Sequence, residues 1–164
     1  MICHLKIIEM RSIFEISINV IKNNWIKLNE ISNFKASAVI KANSYGFGMT
    51  EVANALKDVG CNFFYVAQFE EAITLRKSLK CDAIKIGVFE GLLHNLNDYK
   101  YYKLIPIMNN INQLDKFNFH NKNKDQLKGI LNFDTGMNRL GLDYDETSYV
   151  LNNIRKYDNK NILY

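Results

Sequence analysis

The sequence predicts an α/β fold built on a parallel sheet. Three observations predict it. Short apolar runs of strand length alternate with segments whose apolar residues recur at helical spacing. Several of those segments carry helix start and stop residues at the expected places. The two most distinctive stretches of the chain both fall at the carboxyl ends of predicted strands. Repeated βα units imply parallel pairing, because each crossover returns the chain to the same end of the sheet.

Residues 17–31 form a first predicted helix, with Ile21, Trp25 and Leu28 on one face. Ser37–Ala42 is a short strand. Thr50 is the expected N-cap of the next helix, with Glu51 in its first turn; Val52, Leu56 and Val59 supply its apolar stripe and Gly60 its stop. Asn62–Ala67 is the second strand. Glu70 and Glu71 open the following helix and Arg76, Lys77 and Lys80 close it, an order that suits the helix dipole. Ala83–Phe89 is the third strand, and a short helix follows from Gly91. Lys103–Met108 is the fourth strand, although its Pro106 removes a ladder donor. Residues 112–119 read as helical and Lys128–Asp134 as the fifth strand. Val150, Ile154 and Tyr157 mark one more helix, and Asn161–Tyr164 reads as the start of a sixth strand.

With 164 residues the chain is long enough for one core, and at 48% hydrophobic its composition is that of a folded domain. A net charge of +4 is mild. Lys122 and Lys124 sit in an asparagine-rich stretch that reads as a solvated turn, and no nucleic-acid-binding motif is present, so no nucleic-acid partner is expected. Cys3, Cys61 and Cys81 have neither metal-ligand spacing nor an even count; reduced thiols in a cytoplasmic protein, with no metal, are the simplest reading. No apolar run approaches membrane-spanning length, so no membrane association is expected. His4 and Lys6 are followed by Glu9 and Arg11 before any long apolar stretch, which argues against a signal peptide. His4, His94 and His120 are scattered and read as surface or helix residues.

The stretch Ala38–Gly48, AVIKANSYGFG, delivers Lys41 to the point where a strand ends. An amine at the end of a buried strand is where a Schiff-base lysine would sit; a desolvated amine can lose its proton near neutral pH and attack an aldehyde. Read in isolation, a lysine there is also compatible with a structural or snorkelling role. Val39–Gly48 closely resembles the cofactor-lysine motif of alanine racemases, which are pyridoxal 5'-phosphate (PLP) enzymes with a TIM-barrel N-terminal domain. A second stretch, Asp134–Gly141 (DTGMNRLG), resembles that family's DTGM-x-RLG element, in the family's order and at about its separation. The likeness begins near Ile13 and runs to the end of the sequence, so residues 1–12 are read as an N-terminal extension and 13–164 as an incomplete barrel domain.

The resemblance implies a partial TIM barrel of about five βα units plus the start of a sixth strand, without the family's C-terminal β domain. It implies that Lys41 holds PLP and is one of two bases that interconvert L- and D-alanine, with D-alanine destined for peptidoglycan. It assigns Tyr45 to the cofactor phosphate, with rim packing as the alternative. Arg139 falls to the cofactor's phenolic oxygen and the substrate carboxylate, tasks that suit a planar, permanent cation; a surface ion pair is the alternative. Met137 falls near the substrate, with packing as the alternative. Asp134 is read as holding its own turn rather than as catalytic.

One position departs from the pattern. Asn132 stands where many members carry a carbamylated lysine that pairs with the arginine, and a bound anion such as chloride beside Asn132 is the expected substitute. Complete members are much longer than this sequence. The remainder supplies further phosphate ligands and the opposite-face tyrosine, the latter from a partner subunit. The first reading is therefore the N-terminal portion of an alanine racemase, completed by a separate C-terminal half or a homodimer partner. The second is a catalytically inactive remnant or a non-catalytic PLP-binding module. A single-domain PLP protein of the same barrel class is a third reading, and the specificity of the second motif argues against it.

Overall fold

The computed structural model describes residues 15–121, 127–157 and 161–163. The expected N-terminal extension, Cys3, His4, Ile13, Lys122, Lys124 and Tyr164 lie outside the described residues. The chain runs α1 (Ile18–Ile31), β1 (Ala38–Val39), α2 (Lys41–Tyr45), α3 (Met49–Asp58), β2 (Phe63–Val66), α4 (Phe69–Leu79), β3 (Lys85–Val88), α5 (Leu96–Tyr101), β4 (Ile105–Met108), α6 (Ile111–His120), β5 (Gly129–Leu131), α7 (Tyr144–Asn152), α8 (Ile154–Tyr157) and β6 (Ile162–Leu163). The strands form one sheet in the order β1-β2-β3-β4-β5-β6, every neighbouring pair parallel. β1 and β6 are its two edges and do not pair with each other, so the sheet is an open barrel segment rather than a closed one.

Alternation along the strands separates two faces. Phe64, Val66, Ile86 and Val88 are fully buried, in one core with the helix residues Leu56, Ala72 and Leu75. The opposite face is aromatic: the Phe63 and Tyr65 rings stack at 4.4 Å and Tyr65 stacks on Phe89 at 5.5 Å. Gly87 makes room for that column, since a Cβ there would meet a Tyr65 ring carbon at 2.6 Å.

Pro106 fits inside the all-buried β4 for a reason that lies in the ladder. In a parallel sheet successive residues face alternate neighbours. The Met108 carbonyl accepts from Asn132 N, so Pro106, two residues earlier, also faces β5. The first β4–β5 pair is Ile107 with Ile130, so the missing N–H falls before that ladder begins.

Ile21, Trp25 and Leu28 line one groove along α1, as expected for one face, with Trp25 buried and Leu28 exposed. Three local expectations need correction. Thr50 is not an N-cap: α3 begins at Met49, and the Asn43 side chain accepts from Met49 N at 2.8 Å in place of a local cap. The single helix expected through Val150, Ile154 and Tyr157 is two, broken at Asn153. The strand expected to run to Ala42 ends at Val39, and a helical turn replaces its last residues.

Candidate active site

Lys41 is the first residue of α2, and the turn that follows it has the wrong hand. Ala42, Asn43, Ser44 and Tyr45 have φ between 51° and 56°, a run of left-handed helix closed by a hydrogen bond from Ser44 N to Ile40 O at 2.9 Å. Side chains of L-residues crowd the following carbonyl in this conformation, at roughly 1–2 kcal/mol per residue. A strained run survives only where its surroundings over-determine it. Here Asn43 is tied to Met49 N, Ile40 N is held in the sheet by Tyr65 O, and Ala42 N donates to the Glu71 carboxylate at 2.6 Å.

The turn places the Lys41 amine over the Phe89 ring, 5.7 Å from its centroid, at the top of the aromatic column. The same amine opens on a cleft of about 580 Å³. Its walls come from the carboxyl ends of strands: Lys41 after β1, Ala67 and Gln68 after β2, Phe89 and Glu90 after β3, and Asn132–Thr135, Met137, Arg139 and Leu140 after β5. This is the end of a parallel sheet at which ligands and reacting groups collect.

A closed set of amides underlies the cleft. Asn109, just past β4, donates through Nδ2 to the Phe89 and Ile107 carbonyls at 2.6 and 3.0 Å and accepts from Asn132 Nδ2 at 3.0 Å. Its backbone N donates to Gln113 Oε1 at 2.8 Å, and Gln113 Nε2 donates to Glu90 O at 3.1 Å. Asn132 therefore gives one amide hydrogen to Asn109 and also lines the cleft with Arg139.

The second motif is a pinched loop. Asp134 N donates to Leu142 O and Leu142 N to Asn132 O, at 2.9 and 2.8 Å. Within the pinch, Asp134 Oδ1 accepts from Gly136 N and Asn138 N at 2.9 and 3.1 Å. Those backbone N–H groups hold the Asp134 carboxyl below the ordinary aspartate range. The folded pKa is depressed, so the contribution of Asp134 to the loop is complete above the unfolded value of ~3.9 and is lost as pH falls through the folded value. We expect the Gly136 and Asn138 amide resonances to stay constant from pH 7 to about 5 and to move together in more acid solution. In Asp134→Asn they should already be displaced at pH 7.

Lys41, Arg139 and Met137 are thus brought to one cleft, with Met137 and Arg139 exposed on the loop. Tyr45 is not among them. It is 60% exposed and faces a separate groove with Trp25, Leu28 and Phe47, between α1 and α3. Sequence reading missed Glu71, Phe89, Glu90 and Asn109. The spacing of Gln68 and Glu71 carried a signal, since it makes a reciprocal capping box. Phe89 ends a predicted strand and Glu90 and Asn109 follow directly on predicted strands, where the strand-end rule alone would have found them.

Comparison with known proteins identifies the family to which this fold belongs. Residues 16–163 match the family described as alanine racemase, N-terminal domain. The chain is similar to the alanine racemase of Rickettsia typhi, 40% identical over 141 residues that make up 84% of this chain and 35% of that protein. Its fold is similar to the crystal structure of alanine racemase from Bartonella henselae with covalently bound pyridoxal phosphate, at TM-score 0.78 and 31% identity, covering 88% of this chain and 42% of that one. It is also similar to alanine racemase from E. faecalis, at TM-score 0.67 and 28% identity, covering 90% and 40%. The chain therefore spans well under half the length of these relatives.

Proposed function

This chain belongs to the alanine racemase family, within its N-terminal domain, and from that premise we propose that its cleft is the PLP-binding half of an alanine racemase site with Lys41 as the cofactor lysine. One observation carries the reading: the strained left-handed turn holds Lys41 in a cleft shared with Arg139, at the carboxyl ends of the strands.

The residues present fit the ring and aldehyde end of the group. Lys41 supplies the amine, Phe89 and Phe133 supply apolar wall, and Arg139 supplies a permanent donor for a phenolic or carboxylate oxygen. Tyr45, proposed for the phosphate, faces the other groove here, so the phosphate end is the part that the rest of an alanine racemase site would complete. The cofactor, when bound, supplies an electron sink that acidifies the α-hydrogen of an amino acid. Lys41 would take or return that proton on one face, Arg139 would orient the carboxylate, and Met137 would border the substrate. Racemisation needs a second proton-bearing group on the opposite face, so turnover rests on a complementary C-terminal half or a homodimer partner. Supporting a partner on the β1 side, Leu28, Val39, Tyr45 and Phe47 line one groove there and are exposed, an apolar surface at a sheet edge. The substrate in this reading is alanine, the product serves peptidoglycan, and the compartment is cytoplasmic; no helix among the described residues is long and apolar enough to cross a membrane.

The test is borohydride reduction of the chain incubated with PLP, followed by peptide mass analysis. A pyridoxyl adduct confined to Lys41 and absent in Lys41→Ala supports the reading; labelling spread over surface lysines alone overturns it.

A further inference from the structure

Glu71 makes more contacts than a helix cap requires. Its Oε2 accepts from Ala67 N at 2.8 Å and Gln68 N at 3.2 Å, which is the capping function at the start of α4. Its Oε1 reaches out of that element to accept from Ala42 N at 2.6 Å. The Ala42 N–H belongs to the peptide that joins Lys41 to the left-handed turn, so one carboxylate stitches the end of β2 to the backbone of Lys41 itself. A carboxylate has only acceptor sites, and both oxygens here meet N–H donors. The bond to Ala42 is charge-assisted and short, the kind that best opposes backbone strain.

We propose that Glu71 is the positioning residue of the Lys41 turn: its carboxylate holds the left-handed backbone that aims the Lys41 amine into the cleft, toward an aldehyde cofactor of the pyridoxal class. The aim toward that cofactor rests on the function proposed above; the hold on the turn does not.

The chemistry of glutamine separates this role from capping. A capping box accepts Glu or Gln alike, because one oxygen suffices for it. In Glu71→Gln the amide oxygen can keep Ala67 and Gln68, but the amide nitrogen then faces the Ala42 N–H, donor against donor. Gln68→Ala is the converse variant, disturbing the cap and leaving the Ala42 contact in place.

The experiment compares wild type, Glu71→Gln and Gln68→Ala by hydrogen–deuterium exchange of the 40–48 segment and by the yield of borohydride-trapped PLP at Lys41. In the trapped step the Lys41 amine adds to the aldehyde, water leaves, and borohydride delivers hydride to the carbon–nitrogen double bond. We expect Glu71→Gln to speed exchange of the segment by at least about tenfold and to lower trapping at Lys41; Gln68→Ala, whose side chain lines the cleft, serves as the control for exchange alone and should stay close to wild type there. Unchanged exchange in Glu71→Gln, or equal acceleration in both variants, overturns the proposal. If wild type itself is not trapped at Lys41, the functional reading fails, and the exchange arm still decides whether Glu71 holds the turn. If a variant fails to fold, the Ala42 amide in the wild-type chain answers instead: a slowly exchanging, strongly downfield resonance supports the contact, and a fast-exchanging one overturns it.

Discussion

Arg76→Ala is expected to destabilise the chain by about 3–5 kcal/mol, a large share of the ~5–15 kcal/mol typical of a domain. Arg76 lies on α4 and is 8% exposed. Its guanidinium spends three donors on three carbonyls: Nε on Tyr102 O at 3.0 Å, Nη1 on Cys81 O at 2.7 Å and Nη2 on Lys103 O at 2.9 Å. Those carbonyls belong to the segment leading into β3 and the turn leading into β4, so one side chain ties two successive crossovers together. Desolvation pulls the Arg76 pKa down, but from a value so high that the group stays charged at neutral pH. Alanine would leave the three acceptors without their shared donor, and each partly buried unpaired group carries its own cost. Lysine offers a point charge instead of a planar fork, so Arg76→Lys should recover less than half of the loss. Urea unfolding followed by circular dichroism measures both. A cost below about 1 kcal/mol for the alanine variant would mean that the fork is incidental.

Arg76 also shows where sequence reading stops. As a residue near a helix C-terminus it was legible as a dipole partner, and that reading is local. What makes it structural is the position of two adjacent backbone carbonyls, in one turn 26 and 27 residues further on, which only the tertiary fold supplies. The strands and their parallel order were legible because burial on a sheet leaves short apolar runs between helical periods. Their ends were less so: β1 gives way to α2 because Ala42–Tyr45 adopt a conformation that propensity argues against. Lys41 and Arg139 were legible through their motifs, and both line one cleft. Tyr45 sits in the same motif as Lys41, but it faces a different groove, which proximity in sequence does not reveal. Glu71 looked like an ordinary first-turn acid because its partner, Ala42, is 29 positions away and contributes only a backbone N–H, which no residue type announces.

Gly141→Ala should cost about 2–4 kcal/mol and disorder the loop that carries Arg139. Gly141 has φ +108°, a region that side chains rarely adopt, and an added Cβ would stand 2.7 Å from Asp134 N and 2.8 Å from Phe133 C. Both neighbours are backbone and cannot swing aside. The nearest relief is to part the Asp134–Leu142 hydrogen bond and the Phe133–Leu142 bridge, which are the base of the loop. Gly136 supplies the control, because it has φ +120° with nothing within 4 Å of a Cβ. Gly136→Ala therefore carries backbone strain without the collision and should cost the smaller amount, about 1–2 kcal/mol. The two variants separate the need for a permissive backbone from the need for space. Urea midpoints give the order, and amide shifts of residues 134–142 give the cause. Spectra that change at Met137 and Arg139 in Gly141→Ala, with Lys41 and its turn unmoved, would show that the two walls of the cleft are built independently. If both variants cost the same, the close approach of Gly141 to Asp134 is not what fixes the loop.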